Sequence, residues 1–172
     1  LHKNIKIKSK NKIRLVKGSH IITKKLYKED VAFTFQNTDK RIIFVIPYKK
    51  KFSLIGTTEV EVKSPENTVI SKQETQYLIR SVNNYLKKQI SKKDIVDTYS
   101  GIRPLIEDFK EASKVTRDYV FDLNIVKKLP LLNIYGGKLT TYRKLSEKVL
   151  LDLKKFLPKT KKGPWTDKKK LF

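Results

Sequence analysis

Two glycines, a lysine and a threonine pair occur in the run YGGKLTTYR, Tyr135 to Arg143, between an apolar run (Leu129 to Ile134) and an amphipathic stretch. That order reads as a strand, a glycine turn and a helix start. Paired glycines permit a sharp turn and close approach of backbone to a ligand, and the unpaired N–H groups and dipole of a helix start favour negative charge. The segment can therefore hold an electron-rich group, although a glycine pair before a helix also serves as plain turn chemistry. Arginine is the second signal. In a chain whose cations are overwhelmingly lysine, Arg103 lies in SGIRP and Arg117 in VTRDY, directly before Asp118. A guanidinium fork makes paired hydrogen bonds to an oxyanion that lysine cannot, and the competing use of each arginine is a structural ion pair. His20 follows Gly18 and Ser19 in an extended apolar segment, where a histidine is either a hydrogen-bonded core residue or an acid–base group. His2 has no such setting.

The elements that must position these groups follow from periodicity. Residues 1–12 are a basic, poorly patterned lead-in, and Ile13 to Thr23 reads as a strand. Val31, Phe33 and Phe35 alternate with Ala32 and Thr34, and RIIFVIP is apolar enough for a buried strand that Pro47 ends. After Lys49 to Lys51, FSLIGTTEVEV resumes extended structure, so a hairpin of two long strands is expected, with Gly56 a bulge or a point of close backbone approach. Ser71 and Glu74 form a capping box for a helix running to about Lys88, with Lys72, Arg80 and Lys87 on its wet side. Strands return at Ile95 to Ile106, Lys114 to Leu123 and Leu129 to Tyr135. A last helix from about Leu139 carries Leu145, Val149, Leu153 and Phe156 on one stripe and stops at Pro158. Strands, helix, strands, helix in this order predict an α+β fold with a mixed, largely antiparallel sheet and two principal helices.

Composition bounds the function. The formal charge is +23, from 40 Lys plus Arg against 17 Asp plus Glu, a field that attracts polyanions. The lysines are spread over every segment rather than gathered on one face, and no nucleic-acid-binding motif accompanies them, so specific nucleic-acid binding is not expected. The absence of cysteine excludes disulfides and thiol catalysis, and two histidines do not build a usual zinc site. No apolar run approaches the roughly 20 residues that span a bilayer. A cytoplasmic placement is expected; the tail KKGPWTDKKKLF reads as a solvated end, or as an indole and cations for peripheral contact with the inner face of the cytoplasmic membrane. Glu59 and Glu61 share a strand face and read as its solvated side rather than as a catalytic pair. No Gly-x-Ser-x-Gly elbow, Walker loop or HExxH motif supports a hydrolase or kinase.

Five segments occur in a fixed order: KGSH at Lys17 to His20, PYKKKFSLIGTTEVEV at Pro47 to Val62, TYSGIRPL at Thr98 to Leu105, VTRDYVFDL at Val115 to Leu123, and YGGKLTTYR. Together they resemble the FAD-dependent, quinone-linked glycerol-3-phosphate dehydrogenases, from about Ile13 to Trp165. The resemblance implies hydride transfer from C2 of sn-glycerol 3-phosphate to FAD, giving dihydroxyacetone phosphate, with electrons passed on to quinone. It assigns Arg103, Arg117 and His20 to the substrate, and Gly136, Gly137, Lys138 and Thr140 to the flavin. His20, Arg103 and Lys138 are the catalytic candidates, and the base among them stays open. Thr57 and Thr58 are further lining candidates, although β-propensity explains them better, and capping is the expected work of Thr140 or Thr141. The family's Gly-x-Gly-x-x-Gly pyrophosphate turn does not occur in this sequence, which also lacks methionine. The chain therefore reads as the substrate-binding part, 13–157, with a flavin-facing loop at 135–143 and a basic tail at 158–172. An N-terminal FAD-binding region is expected to lie outside it, and the chain alone is expected to be inactive. A glycerophosphate oxidase using O2 and an inactive basic remnant are the alternatives.

Overall fold

In the computed structural model, residues 11–66, 68–107, 118–159 and 163–170 are described. The chain divides into two compact units, Leu1–Val115 and Thr116–Phe172. The range 13–157 drawn from sequence spans both. The fold is α+β, with antiparallel strand pairing throughout the described residues.

The first unit is a sheet built on one long strand, β1 (Ile13–Lys24). The other strands are β2 (Phe33–Gln36), β3 (Ile42–Tyr48), β4 (Phe52–Gly56), β5 (Val60–Val62) and β6 (Ile95–Ile106), ordered β2-β3-β4-β1-β5 with β6 along the free edge of β1. β1 pairs β4 through His20–Lys24 and β5 through Leu15–Lys17, while β6 follows it from Ile13 to Thr23. The expected second long strand of the hairpin is thus split into β4 and β5. The physical reason lies between them, where Thr57, Thr58 and Glu59 leave the ladder to bond to groups on both sides of the sheet.

Alternation along β1 sorts its side chains between two faces. Lys17, Ser19, Ile21 and Thr23 lie under the helix α1 (Lys72–Asn83), and Gly18, His20 and Ile22 face the other way. The α1 side holds the core: Ile21, Ile43, Val45, Ile55, Leu78, Val82 and Ile90 pack as one buried cluster. At about 1.5–3 kcal/mol per buried aliphatic side chain, this contact fixes α1 on the sheet. The capping box forms as read: the Glu74 amide donates to Ser71 Oγ at 3.1 Å, and the Ser71 amide donates to Glu74 Oε2 at 2.8 Å. Lys72, Arg80 and Lys87 are exposed. The helix ends at Asn83, short of the expected Lys88, because the Asn83 amide turns aside to bond both backbone groups of Ile90, at 2.8 and 2.9 Å.

The second unit is a hairpin, β7 (Tyr119–Val126) with β8 (Leu129–Gly136), followed by a 3-10 turn at Leu139–Thr141 and the helix α2 (Tyr142–Leu153). Leu145, Val149, Leu153 and Phe156 are half-buried, and no described side chain of this unit is fully buried. Its hairpin turn is Lys127–Lys128, with φ of 47° and 70°. Two positive φ values mark a type I′ turn, which favours Asn-Gly and disfavours side chains crowded in the left-handed region. Replacing the pair by Lys127→Asn with Lys128→Gly should stabilise the hairpin by about 1 kcal/mol. Slower amide exchange in β7 and β8 is the expected result, and unchanged protection would contradict it.

Candidate active site

The face of the sheet opposite α1 carries the first group of sequence-predicted residues. Register places Phe44, Gly56, His20 and Tyr99 in one row across β3, β4, β1 and β6. The His20 ring lies over Gly56, where a Cβ would come within 2.0 Å of His20 Cδ2, and it meets the Tyr99 ring at 5.6 Å between centroids. Gly18 faces Gly101 in the adjacent row. The Arg103 guanidinium lies over Gly18, so that a Cβ there would be 2.4 Å from Arg103 Nη2. Two glycines thus form the floor under the two candidate side chains, His20 and Arg103. The close approach expected at Gly56 is with His20, and the equivalent role of Gly18 was hidden inside KGSH.

Arg103 is held from the side. Its Nη1 donates to Glu59 Oε1 and its Nη2 to Thr57 Oγ1, each at 3.3 Å. Glu59 is therefore not the solvated residue that strand alternation suggested: its side chain is 11% exposed against Arg103. The break after β4 removes it from the alternation that governs Glu61, which is exposed and pairs with Arg14 at 2.8 Å. The structural ion pair considered for Arg103 exists, and it also presents the fork on the open face beside His20.

His20 is half-buried, and burial first, then the nearby Arg103 cation, lower its pKa below the ordinary histidine value. It is neutral at neutral pH. Its Nδ1 is buried without a hydrogen-bond partner. A neutral imidazole is in the protonation state that accepts a proton from a hydroxyl.

On the other side of β1, directly behind this face, lies a buried polar network that sequence reading missed. Lys17 Nζ is 2.9 Å from Glu74 Oε2 and donates to the Val69 carbonyl at 2.7 Å. Glu74 Oε1 accepts from Ser19 Oγ at 2.7 Å and Thr58 Oγ1 at 2.8 Å. The Ser19 amide donates to Thr58 Oγ1, and Ser100 Oγ donates to Ser19 Oγ. Burial pushes the Glu74 carboxyl up, but the donors on Ser19, Ser71, Lys17 and Thr58 outweigh it and bring the pKa down to about 2. Thr58 is thus a structural residue of this network, whereas Thr57 Oγ1 meets Arg103. The network ties α1, the Thr57–Thr58 segment, β1 and β6 together beneath the site.

The second group, Gly136, Gly137, Lys138 and Thr140, is in the other unit, in the expected turn between β8 and the last helical segment. Gly136 and Gly137 have φ of 70° and 98°, and a Cβ on Gly136 would lie 2.8 Å from the Asp118 carbonyl oxygen, so both demand glycine. All four residues are exposed. This is bare backbone beside a cation, a surface that accepts a flat, electron-rich ring, so these residues fit a flavin. The expected capping differs: Thr141 stands at the α2 N-cap, yet no side-chain cap bond forms, because its hydroxyl donates to the Lys138 carbonyl at 2.9 Å. Arg143, which closes YGGKLTTYR, pairs with Glu147 at 2.9 Å one helical turn on. Arg117 lies outside the described residues. Among the described residues no cluster of metal-ligating side chains occurs, and no helix is long and apolar enough to cross a membrane.

The family described as FAD dependent oxidoreductase matches residues 2–143. The aerobic glycerol-3-phosphate dehydrogenase of Escherichia coli (strain K12) is 50% identical over 141 residues, covering 80% of this chain and 28% of that protein. The D-erythritol 1-phosphate dehydrogenase of Brucella abortus (strain 2308) is 44% identical over 160 residues, covering 92% of this chain and 32% of that protein. The crystal structure of the glycerol-3-phosphate dehydrogenase from Bacillus halodurans complexed with FAD shares the fold, with a TM-score of 0.75 at 22% identity, over 95% of this chain and 31% of that one. The chain spans about a third of the length of the curated relatives it matches.

Proposed function

We propose that this chain, which belongs to the FAD-dependent oxidoreductase family, forms the substrate-binding part of a flavoenzyme that oxidises sn-glycerol 3-phosphate to dihydroxyacetone phosphate. The observation that carries this reading is the open sheet face on which Gly18 and Gly56 seat a clamped arginine and a neutral histidine. FAD, when bound, supplies the acceptor for the hydride that leaves C2. Arg103 binds the phosphate dianion through its fork, and Arg117 is assigned to the substrate by its motif alone. Neutral His20 takes the C2 hydroxyl proton as the carbon gives up its hydride. Lys138, with the backbone at Gly136 and Gly137, would hold the flavin ring and supply positive charge beside it; Thr140 lies in the same loop. Quinone is the proposed final acceptor, with O2 the alternative. The proposed location is cytoplasmic and peripheral to the membrane; exposed Trp165, with Lys169 Nζ 5.6 Å from its ring centroid, would be one contact.

The similarity to a D-erythritol 1-phosphate dehydrogenase favours a second reading within the same chemistry, a longer polyol phosphate on the same arginine. Titrating the 172-residue chain with sn-glycerol 3-phosphate, D-erythritol phosphate and glycerol, followed by NMR at Arg103 and His20, tests the shared phosphate-ester chemistry, and the ester that binds more tightly decides between the two readings. The phosphate esters should perturb both residues and glycerol neither. Arg103→Lys should weaken the phosphate ester by roughly tenfold or more, equivalent to about 1.5–3 kcal/mol for a lost charge-assisted fork. No response at Arg103 to any phosphate ester would overturn the assignment.

A further inference from the structure

The Arg103 fork is not aimed by its own strand. Register puts Arg103 opposite Val16, yet its guanidinium lies over Gly18, one same-face position along β1. An arginine side chain has several rotatable bonds, and holding it away from its own row requires partners for the guanidinium. Two come from the segment between β4 and β5: Thr57 Oγ1 takes Nη2 and Glu59 Oε1 takes Nη1. Of these two partners Glu59 carries the opposite charge, and its side chain is 11% exposed, less than the 29% of Arg103 itself. The more buried partner is the anchor, and the more exposed one is what it holds out to solvent.

We infer that Glu59 is a positioning residue, which fixes the Arg103 guanidinium over Gly18 and so sets the orientation in which a phosphate monoester is received. Glu59 does not touch the substrate. The inference rests on the reading of Arg103 as the phosphate-binding group and adds to it that its orientation is imposed from outside its strand. An exposed arginine would sample many rotamers, and an oxyanion would have to order it on binding. A pre-set fork removes that cost.

A competing role for Glu59 is that of a bare counter-charge, and the two roles predict opposite signs. If Glu59 only neutralises Arg103, removing its charge should tighten phosphate binding. If it positions Arg103, losing the acceptor oxygen should weaken binding, and an amide that keeps an oxygen at the same reach should restore much of it. The experiment compares Glu59→Ala and Glu59→Gln in the 172-residue chain, reading Arg103 side-chain N–H signals and the affinity for sn-glycerol 3-phosphate and inorganic phosphate. In the unsubstituted chain the Arg103 Nη1–H signal should be sharp and slowly exchanging before any ligand is added. Glu59→Ala should broaden it and weaken both phosphates about tenfold, the size of one charge-assisted bond, while Glu59→Gln should lose threefold or less. Unaltered Arg103 signals in Glu59→Ala, or tighter phosphate binding in both variants, would overturn the positioning role. Failure of phosphate to reach Arg103 in the unsubstituted chain would instead overturn the substrate reading, and the ligand-free Arg103 signals would still decide what Glu59 does. If Glu59→Ala fails to fold, Glu59→Gln carries the same comparison: near-native signals uphold an acceptor role, and native signals with tighter binding reject it.

Discussion

Glu74→Ala should destabilise the chain by about 3–5 kcal/mol, the cost of breaking a buried ion pair by removing one partner. The substitution strands more than Lys17. Lys17 Nζ keeps only the Val69 carbonyl among its described hydrogen-bond partners, the Ser19 and Thr58 hydroxyls lose their shared acceptor, and the Ser71 amide loses its cap. Each is a buried or half-buried donor left short of an acceptor. Urea unfolding followed by circular dichroism should show a large drop in midpoint, and an unshifted midpoint would remove the network from any account of this sheet. Glu74→Gln should cost less, because an amide oxygen can still accept from Ser19 and Thr58.

The pH dependence follows from the depressed pKa of Glu74, about 2 against 4.5 for an ordinary glutamate. The unfolded chain holds the proton more tightly, so stability rises with pH across that window. The contribution, about 3 kcal/mol, is complete above pH 4.5 and is lost as pH falls toward 2. The stability gap between the unsubstituted chain and Glu74→Gln should therefore close over that interval.

Much of this arrangement was legible in the sequence, and the part that was not has one cause. The capping box and the turn at Gly136–Gly137 depend on neighbours within a few residues, and local patterns report them; the limits of β6 and the close approach at Gly56 have distant partners, yet a local run of strand residues and a lone strand glycine mark them. The Lys17–Glu74 pair joins a strand near the start of the chain to a helix well beyond the hairpin. Lys17 looked like one more solvated cation among 40 Lys plus Arg. Its burial could be inferred only from Ile21, which shares its β1 face and is fully buried. Glu59 misled for a related reason. Period-two alternation places it with Glu61, but β5 begins at Val60, and a residue outside the ladder is not bound by its alternation. The Lys127–Lys128 turn carried no Asn-Gly signal; the pairing of β7 with β8 imposes its positive φ values.

The two floor glycines offer the sharpest separation between folding and function. In Gly56→Ala the new Cβ would meet His20 Cδ2 at 2.0 Å, Cγ at 2.6 Å and Nε2 at 2.7 Å, a whole face of a rigid ring. The ring must swing away from Tyr99 or the strands must part, and overpacking of this kind costs about 1–3 kcal/mol. Displaced from its burial and from Arg103, His20 should titrate closer to the ordinary 6.5. In Gly18→Ala the obstructed atoms are the far end of Arg103, with Nη2 at 2.4 Å, and the Thr57 hydroxyl at 2.7 Å. A long side chain can retreat at little cost, so stability should change by less than about 1 kcal/mol while the fork leaves its seat. Phosphate-ester affinity should then fall roughly tenfold, as for a lost charge-assisted contact. Urea midpoints, the His20 NMR titration and a glycerol 3-phosphate titration on both variants test the pair. The expected result is crossed: Gly56→Ala loses stability and raises the His20 pKa, and Gly18→Ala keeps its stability and loses the ligand. If Gly18→Ala bound glycerol 3-phosphate as tightly as the unsubstituted chain, the seat over β1 would not be where the phosphate is received.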